Sequence, residues 1–191
     1  MRKLRIMEHI SLDGVIQHEV GDGFAHGNWT TPYRTPAGLA AVVEAYGSNF
    51  DLLLGRRTYD AWAGFWPGAG DSPMANNLNA ATKYVATHRP DSLNWGPAHS
   101  LGADILAGIT HVKATDGPDL IVCGSSTLTS VLLEQGMIDE VVLLVYPVLL
   151  GRGKRLFSTQ ADPRELAFVS SQATATGVLL NTYRHVGALR P

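Results

Sequence analysis

Apolar positions in this chain fall into short continuous runs and longer stretches with helical spacing. Residues 120–122 and 141–145 are continuous apolar runs without polar alternation, as in strands buried on both faces. Residues 4–10 read as a strand buried mostly on one side, and 51–54 and 83–87 read as two more. Between them, Leu39, Val42, Val43 and Tyr46 recur at helical spacing, opened by Thr35-Pro36 and closed by Gly47. Ile105, Leu106, Ile109 and Val112 give another helix, and Leu128, Val131 and Leu132 a third, stopped by Gly136. A short helix is expected from Gly55 through Trp62, and another over 74–81. Residues 17–32 and 64–73 lack periodicity and read as loops, and 91–102 as loop or irregular edge structure. Two final runs, 166–175 and 178–186, flank Thr176-Gly177 and read as a hairpin.

Strands alternating with helices, then an antiparallel hairpin, predict one α/β domain spanning residues 1–191. Its central sheet is mixed, mostly parallel, and flanked by helices on both faces. Ligands of such sheets bind beyond the carboxyl ends of the strands. Composition narrows the picture without changing it. The chain has 191 residues, 45% of them hydrophobic, enough for one domain with a full core. A net charge of −2 gives no electrostatic case for nucleic acid or an anionic membrane. Cys123 is the single cysteine, so no intrachain disulfide forms, which fits a cytoplasmic protein. No apolar run approaches membrane-spanning length, and the first residues lack a signal-peptide core. Metal-ligand spacings, a serine-hydrolase elbow and a GxGxxG fingerprint are all absent from the sequence.

The candidate chemistry sits where strands end. Gly124-Ser125-Ser126-Thr127 follows a strand and opens a helix, a geometry that offers free N–H groups and a positive dipole end to an anion. It reads equally as an ordinary strand-to-helix turn. Gly55-Arg56-Arg57-Thr58 repeats the geometry and adds guanidinium groups suited to phosphate. Thr87-His88-Arg89 follows another strand end. In Ser11-Leu12-Asp13-Gly14, Asp13 reads as a turn residue bonding its own backbone. His9 and Ser11 alternate along the first strand, and His9 could donate a proton near neutral pH. Trp29 and Tyr33, in the long loop, are candidates for a substrate platform, with Trp66 walling the same pocket. Gly151-Arg152-Gly153-Lys154 reads as a tight turn with solvated charges.

Taken in order, Ser11-Leu12-Asp13-Gly14, Gly55-Arg56-Arg57-Thr58-Tyr59, Ala86-Thr87-His88-Arg89 and the long stretch from Gly124 to Phe157 resemble one known family. The long stretch has the pattern GS-x-x-L…L-x-x-G-x-x-DE…P-x-x-LG-x-G-x-x-LF. The resemblance, over roughly residues 3–186, is to the reductase domain of bacterial riboflavin biosynthesis and its stand-alone relatives, within the dihydrofolate-reductase-like superfamily. It implies that fold, NADPH as cofactor, hydride transfer to a small molecule, and a homodimer. It places the pyrophosphate at Gly124, Ser125, Ser126 and Thr127, and further cofactor phosphate contacts at Gly55, Arg56 and Thr58. The adenosine 2′-phosphate falls at Thr87 and Arg89, and the nicotinamide edge at Asp13 and Gly14, with His9 and Ser11 lining the cleft.

The chain also departs from those relatives. Many have two glycines where this chain has Gly124-Ser125. Dihydrofolate reductases carry an acid in the first helix, near the positions of Gly38 and Leu39 here. Riboflavin reductases usually carry a glutamate directly before the glycine turn, where this chain has Cys123, counted here among the substrate-pocket residues. The cofactor side therefore resembles the family more than the substrate side does. The alternative expectation is a regulatory homodimer that holds a nucleotide or pterin-like ligand without turnover.

Overall fold

A computed structural model describes residues 1–157 and 161–190. Eight strands form one sheet: β1 (Leu4–Ser11), β2 (Asp51–Gly55), β3 (Lys83–Ala86), β4 (Ala98–Ser100), β5 (Leu120–Val122), β6 (Glu140–Tyr146), β7 (Arg164–Ala173) and β8 (Leu179–Ala188). Their order is β4-β3-β2-β5-β1-β6-β8-β7. The first six are mutually parallel, and β8 pairs antiparallel with both β6 and β7. This is the expected mixed sheet with a closing hairpin. The short edge strand β4 lies inside the stretch expected to be loop or irregular edge. Three residues are too few to carry a period, which is why the sequence did not show it.

Among the described residues, five α-helices cover the sheet: α1 (Pro36–Tyr46), α2 (Arg56–Ala63), α3 (Pro73–Ala80), α4 (Ile105–Ala114) and α5 (Ser126–Glu134). Local signals set their ends. Thr35 caps α1 by accepting the Gly38 N–H, Pro36 occupies the first turn, and Gly47 closes the helix at φ +79°. Ser72 and Asp104 cap α3 and α4 in the same way. Two apolar layers result. Tyr46, Tyr59 and Leu78, from α1, α2 and α3, pack with Met7, Leu52, Leu54 and Ile121 on one face. Ile109, Leu128 and Leu132, from α4 and α5, pack with Leu4, Ile6 and Val122 on the other.

Because β1, β2, β3, β5 and β6 run the same way, their carboxyl ends share one edge of the sheet. Each sequence motif falls on a connection leaving that edge. The long loop before α1 holds only a bridge between Gly21 and Phe24 and a single 3-10 turn, Thr31–Tyr33.

Candidate functional site

Two strand-to-helix turns meet at the middle of this edge. Register pairs Leu53 of β2 with Val122 of β5, so Gly55 and Gly124 leave the sheet side by side. A Cβ on Gly55 would lie 2.9 Å from the Ser125 Cβ, so only glycine lets the turns touch without a shift. Ser125 itself is left-handed at φ 60°, and its hydroxyl accepts the Leu128 N–H as the cap of α5. Its side chain therefore faces Gly55 and its own helix. The N–H groups of Ser125, Ser126 and Thr127 have no acceptor among the described residues, as the first turn of a helix leaves them. Thr58 lies against the same turn: a Cβ on Gly124 would be 3.0 Å from its Oγ1.

The Gly124 N–H is spent differently. It donates to the Glu8 carboxylate on the neighbouring strand. Glu8 is 7% exposed, and burial pushes its carboxyl up to about 8, opposed in part by the Gly124 hydrogen bond. Sequence reasoning passed over this residue. The available signal was the adjacent ionisable pair Glu8-His9 in the middle of β1.

Arg56 and Arg89 flank the turns. The Arg56 guanidinium reaches Asp60 at 2.8 Å, the Arg89 carbonyl at 3.0 Å and the Ser92 hydroxyl at 2.8 Å, with Thr87 Oγ1 at 3.4 Å. It ties the connection after β3 to α2, so its donors, expected at a phosphate, are already used within the protein. Thr87 is buried and accepts the Arg89 N–H. The Arg89 side chain is 66% exposed and has one carboxylate partner, Asp60 at 3.3 Å. His88 is exposed beside it. Arg57 and Lys154 converge on Asp22 of the long loop, at 3.3 and 2.8 Å, and hold the Asp22 carboxyl below its usual range, Lys154 the more strongly.

The Ser11-Leu12-Asp13-Gly14 segment is a fastener. Ser11 is 2% exposed; its hydroxyl donates to Asp13 at 2.6 Å and accepts the Val15 N–H at 2.9 Å. Asp13 accepts the N–H groups of Leu150 and Gly151 at 3.1 and 2.7 Å, and these bonds, with Ser11 first, hold its carboxyl down to about 2. Gly14, at φ +86°, lets the chain turn back, and its carbonyl accepts the Leu156 N–H. The motif thus binds the exit of β1 to the loop after β6. The Ser11 hydroxyl and Asp13 carboxylate, expected at the cleft and the nicotinamide edge, are committed inside the protein.

His9 faces a ring cluster. Its Nδ1 is 2.7 Å from the Tyr146 hydroxyl, and the His18 ring meets it edge-on at 5.8 Å. Burial first, then His18 and Arg34, bring the His9 imidazole down to about 3, while burial and Arg34 bring His18 to about 4. Burial keeps the His9 ring in its neutral form near pH 7, which does not favour the expected role as a proton donor. Trp29 stacks on His18 at 4.8 Å, and Trp29 and Tyr33 both set an edge against Tyr146, at 5.2 and 5.3 Å. Trp66 instead joins Trp62 and Phe65, and pairs with no ring of the His9 cluster. Cys123 is 4% exposed, and its sulfur sits 3.2 Å from the Tyr46 hydroxyl. Burial, with Glu8 adding to it, pushes its thiol far up.

A surface depression of about 620 Å³ lies elsewhere, at the opposite end of β1, lined by Glu134, Asp139, Arg184 and His185 among others. None of the candidate site residues lines it, so the candidate chemistry and this hollow do not coincide. Among the described residues, no cluster of three or more His, Cys, Asp or Glu is arranged to hold a metal ion. No helix among them is long and apolar enough to cross a membrane.

Sheet order, two-sided helix packing and the paired glycine turns define a dihydrofolate-reductase-like α/β fold. Residues 2–180 match the RibD C-terminal domain, and the chain belongs to that family. YwjB of Bacillus subtilis (strain 168), whose function is uncharacterized, is 25% identical over 183 residues, covering 96% of this chain and 98% of its own. YyaP of the same organism, also uncharacterized, is 26% identical over 140 residues, or 71% of this chain and 74% of its own. Among solved structures, a protein of Shewanella sp. PV-4 provisionally assigned to riboflavin biosynthesis superposes with a TM-score of 0.70 at 22% identity, covering 97% of this chain and 99% of its own. A pyrimidine reductase-like protein of Corynebacterium diphtheriae gives 0.64 at 10% identity, covering 97% and 92%. Acinetobacter baumannii RibD gives 0.64 at 16% identity; the match covers 97% of this chain and 58% of that one. At these identities the structures establish the fold.

Proposed function

We propose that this protein is an NADPH-dependent reductase acting on a small unsaturated molecule of pterin-, pyrimidine- or carbonyl-like chemistry. The observation that carries this reading is the contact between the Gly55 and Gly124–Ser125 turns, beside three first-turn N–H groups without protein acceptors. That is an anion cradle at the carboxyl ends of parallel strands, in a family whose reductases use a nicotinamide cofactor. Ser125, Ser126 and Thr127 would hold the pyrophosphate through their backbone, with Thr58 beside them. Arg89, exposed and held by one exposed partner, would turn to the 2′-phosphate next to Thr87. The cofactor, when bound, supplies the hydride; the chain supplies orientation and a water-poor wall made by His9, Tyr146 and Trp29.

A second reading, ligand binding without turnover, is favoured by one specific finding. His9 is neutral and Ser11 is committed, so neither is poised to supply a proton. Turnover separates the two. Purified protein is mixed with NADPH and a panel of pterins, pyrimidines, imines and carbonyl compounds, and loss of the reduced nicotinamide absorbance is followed. Substrate-dependent oxidation supports the reductase; NADPH binding with no oxidation across the panel supports the binder. Dihydrofolate is expected to be a poor member of the panel. The only acid on α1, Glu44, is exposed, and Gly38 and Leu39 supply none.

A further inference from the structure

Glu8 is a buried carboxyl that the reading above leaves without a task. Ile6 pairs with Val122, so two residues further on Glu8 is level with Gly124, where β5 has already turned away. One carboxyl oxygen accepts the Gly124 N–H, and the other makes no hydrogen bond to the protein among the described residues. Gly124 and Ser125 are consecutive left-handed residues, at φ 67° and 60°. Such a turn persists only where its surroundings fix it, and the Glu8 bond is the fixing contact on the sheet side. By drawing the Gly124 N–H to itself, Glu8 leaves Ser125, Ser126 and Thr127 as the donors open to an anion.

We infer that Glu8 is a positioning residue for this turn, and that its protonation state sets the affinity of the turn for an anionic nucleotide; the inference rests on the cofactor reading above. Uncharged, the carboxyl would hold the turn in place without opposing a bound anion. Ionised, it would put a negative charge beside the Gly124 turn and oppose the attraction of the α5 dipole for an anion.

Burial sets the changeover at about 8. The groups around Glu8 do not share it. The Cys123 thiol on β5 and the Tyr46 phenol on α1 are both pushed well up and remain neutral. His9, next along β1, is brought down to about 3 and is neutral as well. Arg5 on the same strand carries a guanidinium, and Thr58 on α2 has no ionisable group. The second ionisation of a phosphate monoester has its midpoint at about pH 6, so the ligand's charge changes little above pH 7.

The test is NADPH titration by fluorescence between pH 7 and 9.5, on the parent, Glu8→Gln and Glu8→Leu. Parent affinity is expected to fall about tenfold over the range, the equivalent of one pKa unit of coupling. Glu8→Gln keeps an acceptor for Gly124 and carries no charge. It is expected to bind tighter than Glu8→Leu and to lose the pH dependence. Glu8→Leu lacks the acceptor and is expected to bind weakly at every pH. Parallel pH profiles in the parent and Glu8→Gln, or equal affinities in Glu8→Gln and Glu8→Leu, would overturn the inference and leave the cofactor reading standing. A folded parent that binds no NADPH at any pH overturns both.

Discussion

Gly55 is a glycine because residue 125 is not. The Ser125 side chain fills the space a Cβ at 55 would need, with its own Cβ 2.9 Å and its hydroxyl 3.1 Å from that position. Gly55→Ala is therefore expected to destabilise the protein by about 1–3 kcal/mol, the usual cost of overpacking a close contact. Ser125→Gly in the same chain is expected to recover most of that loss, since it removes both the clashing atoms and a left-handed serine. Urea unfolding of the two single variants and the double variant checks this; strictly additive losses would show that the turns do not touch. Glu8 gives a second prediction at this scale. Its folded carboxyl is raised to about 8 from an ordinary 4.5, so the native state holds the proton more tightly than the unfolded chain does. That stability is fully present below about pH 4.5 and is lost as pH rises through 8, at up to about 1.4 kcal/mol per pH unit. Thermal melts of parent and Glu8→Gln should diverge over that window, with the variant the more stable at pH 8.5. Parallel curves would contradict the burial of an ionisable group there.

The elements were the legible part of the sequence. α1 shows its cap, its first-turn proline and its closing glycine, and α5 shows its periodic Leu128, Val131 and Leu132. Such local signals survive folding because caps and turns are satisfied within a few residues. What was not legible depends on neighbours distant in sequence. Arg56 looks like a free guanidinium in Gly-Arg-Arg-Thr, but its partners Thr87, Arg89 and Ser92 are 31 to 36 positions away. Asp13 looks like a turn residue, yet it fastens residues 137 and 138 positions further on. Glu8 looks like a polar interruption of a strand until the register sets it beside Gly124. The role of Arg56 as a staple between α2 and the loop after β3 has a consequence of its own. Arg56→Ala should raise amide exchange through residues 87–92, and Arg56→Lys should restore little, since an ammonium cannot replace a planar fork with several fixed acceptors. Unchanged exchange in the alanine variant would mean the loop holds its shape without the staple.

At the scale of the whole molecule, the outer strand of the closing hairpin is mostly exposed. β7 has one neighbour and stands at the edge of the sheet, with Phe168 66% and Val169 56% exposed on it. An unpaired edge carrying large apolar side chains is a surface for another chain. The homodimer expected through the C-terminal half is accordingly expected to form here, and Phe168→Glu to weaken it. Sedimentation at micromolar concentration decides: a species near the 20.5 kDa of one chain, unchanged with concentration, would count against it. The central claim concerns the opposite region, the cradle where the Gly55 and Gly124 turns meet, with Thr87 and Arg89 beside it. Its most direct test is a parallel titration of the purified protein with NADPH and with NADH at pH 7. The account predicts saturable binding of one NADPH per chain, at least about tenfold tighter than NADH, because a charge-assisted contact from Arg89 to the 2′-phosphate is worth about 1.5–3 kcal/mol. Equal affinities, or no saturable binding of NADPH by the folded protein, would contradict it.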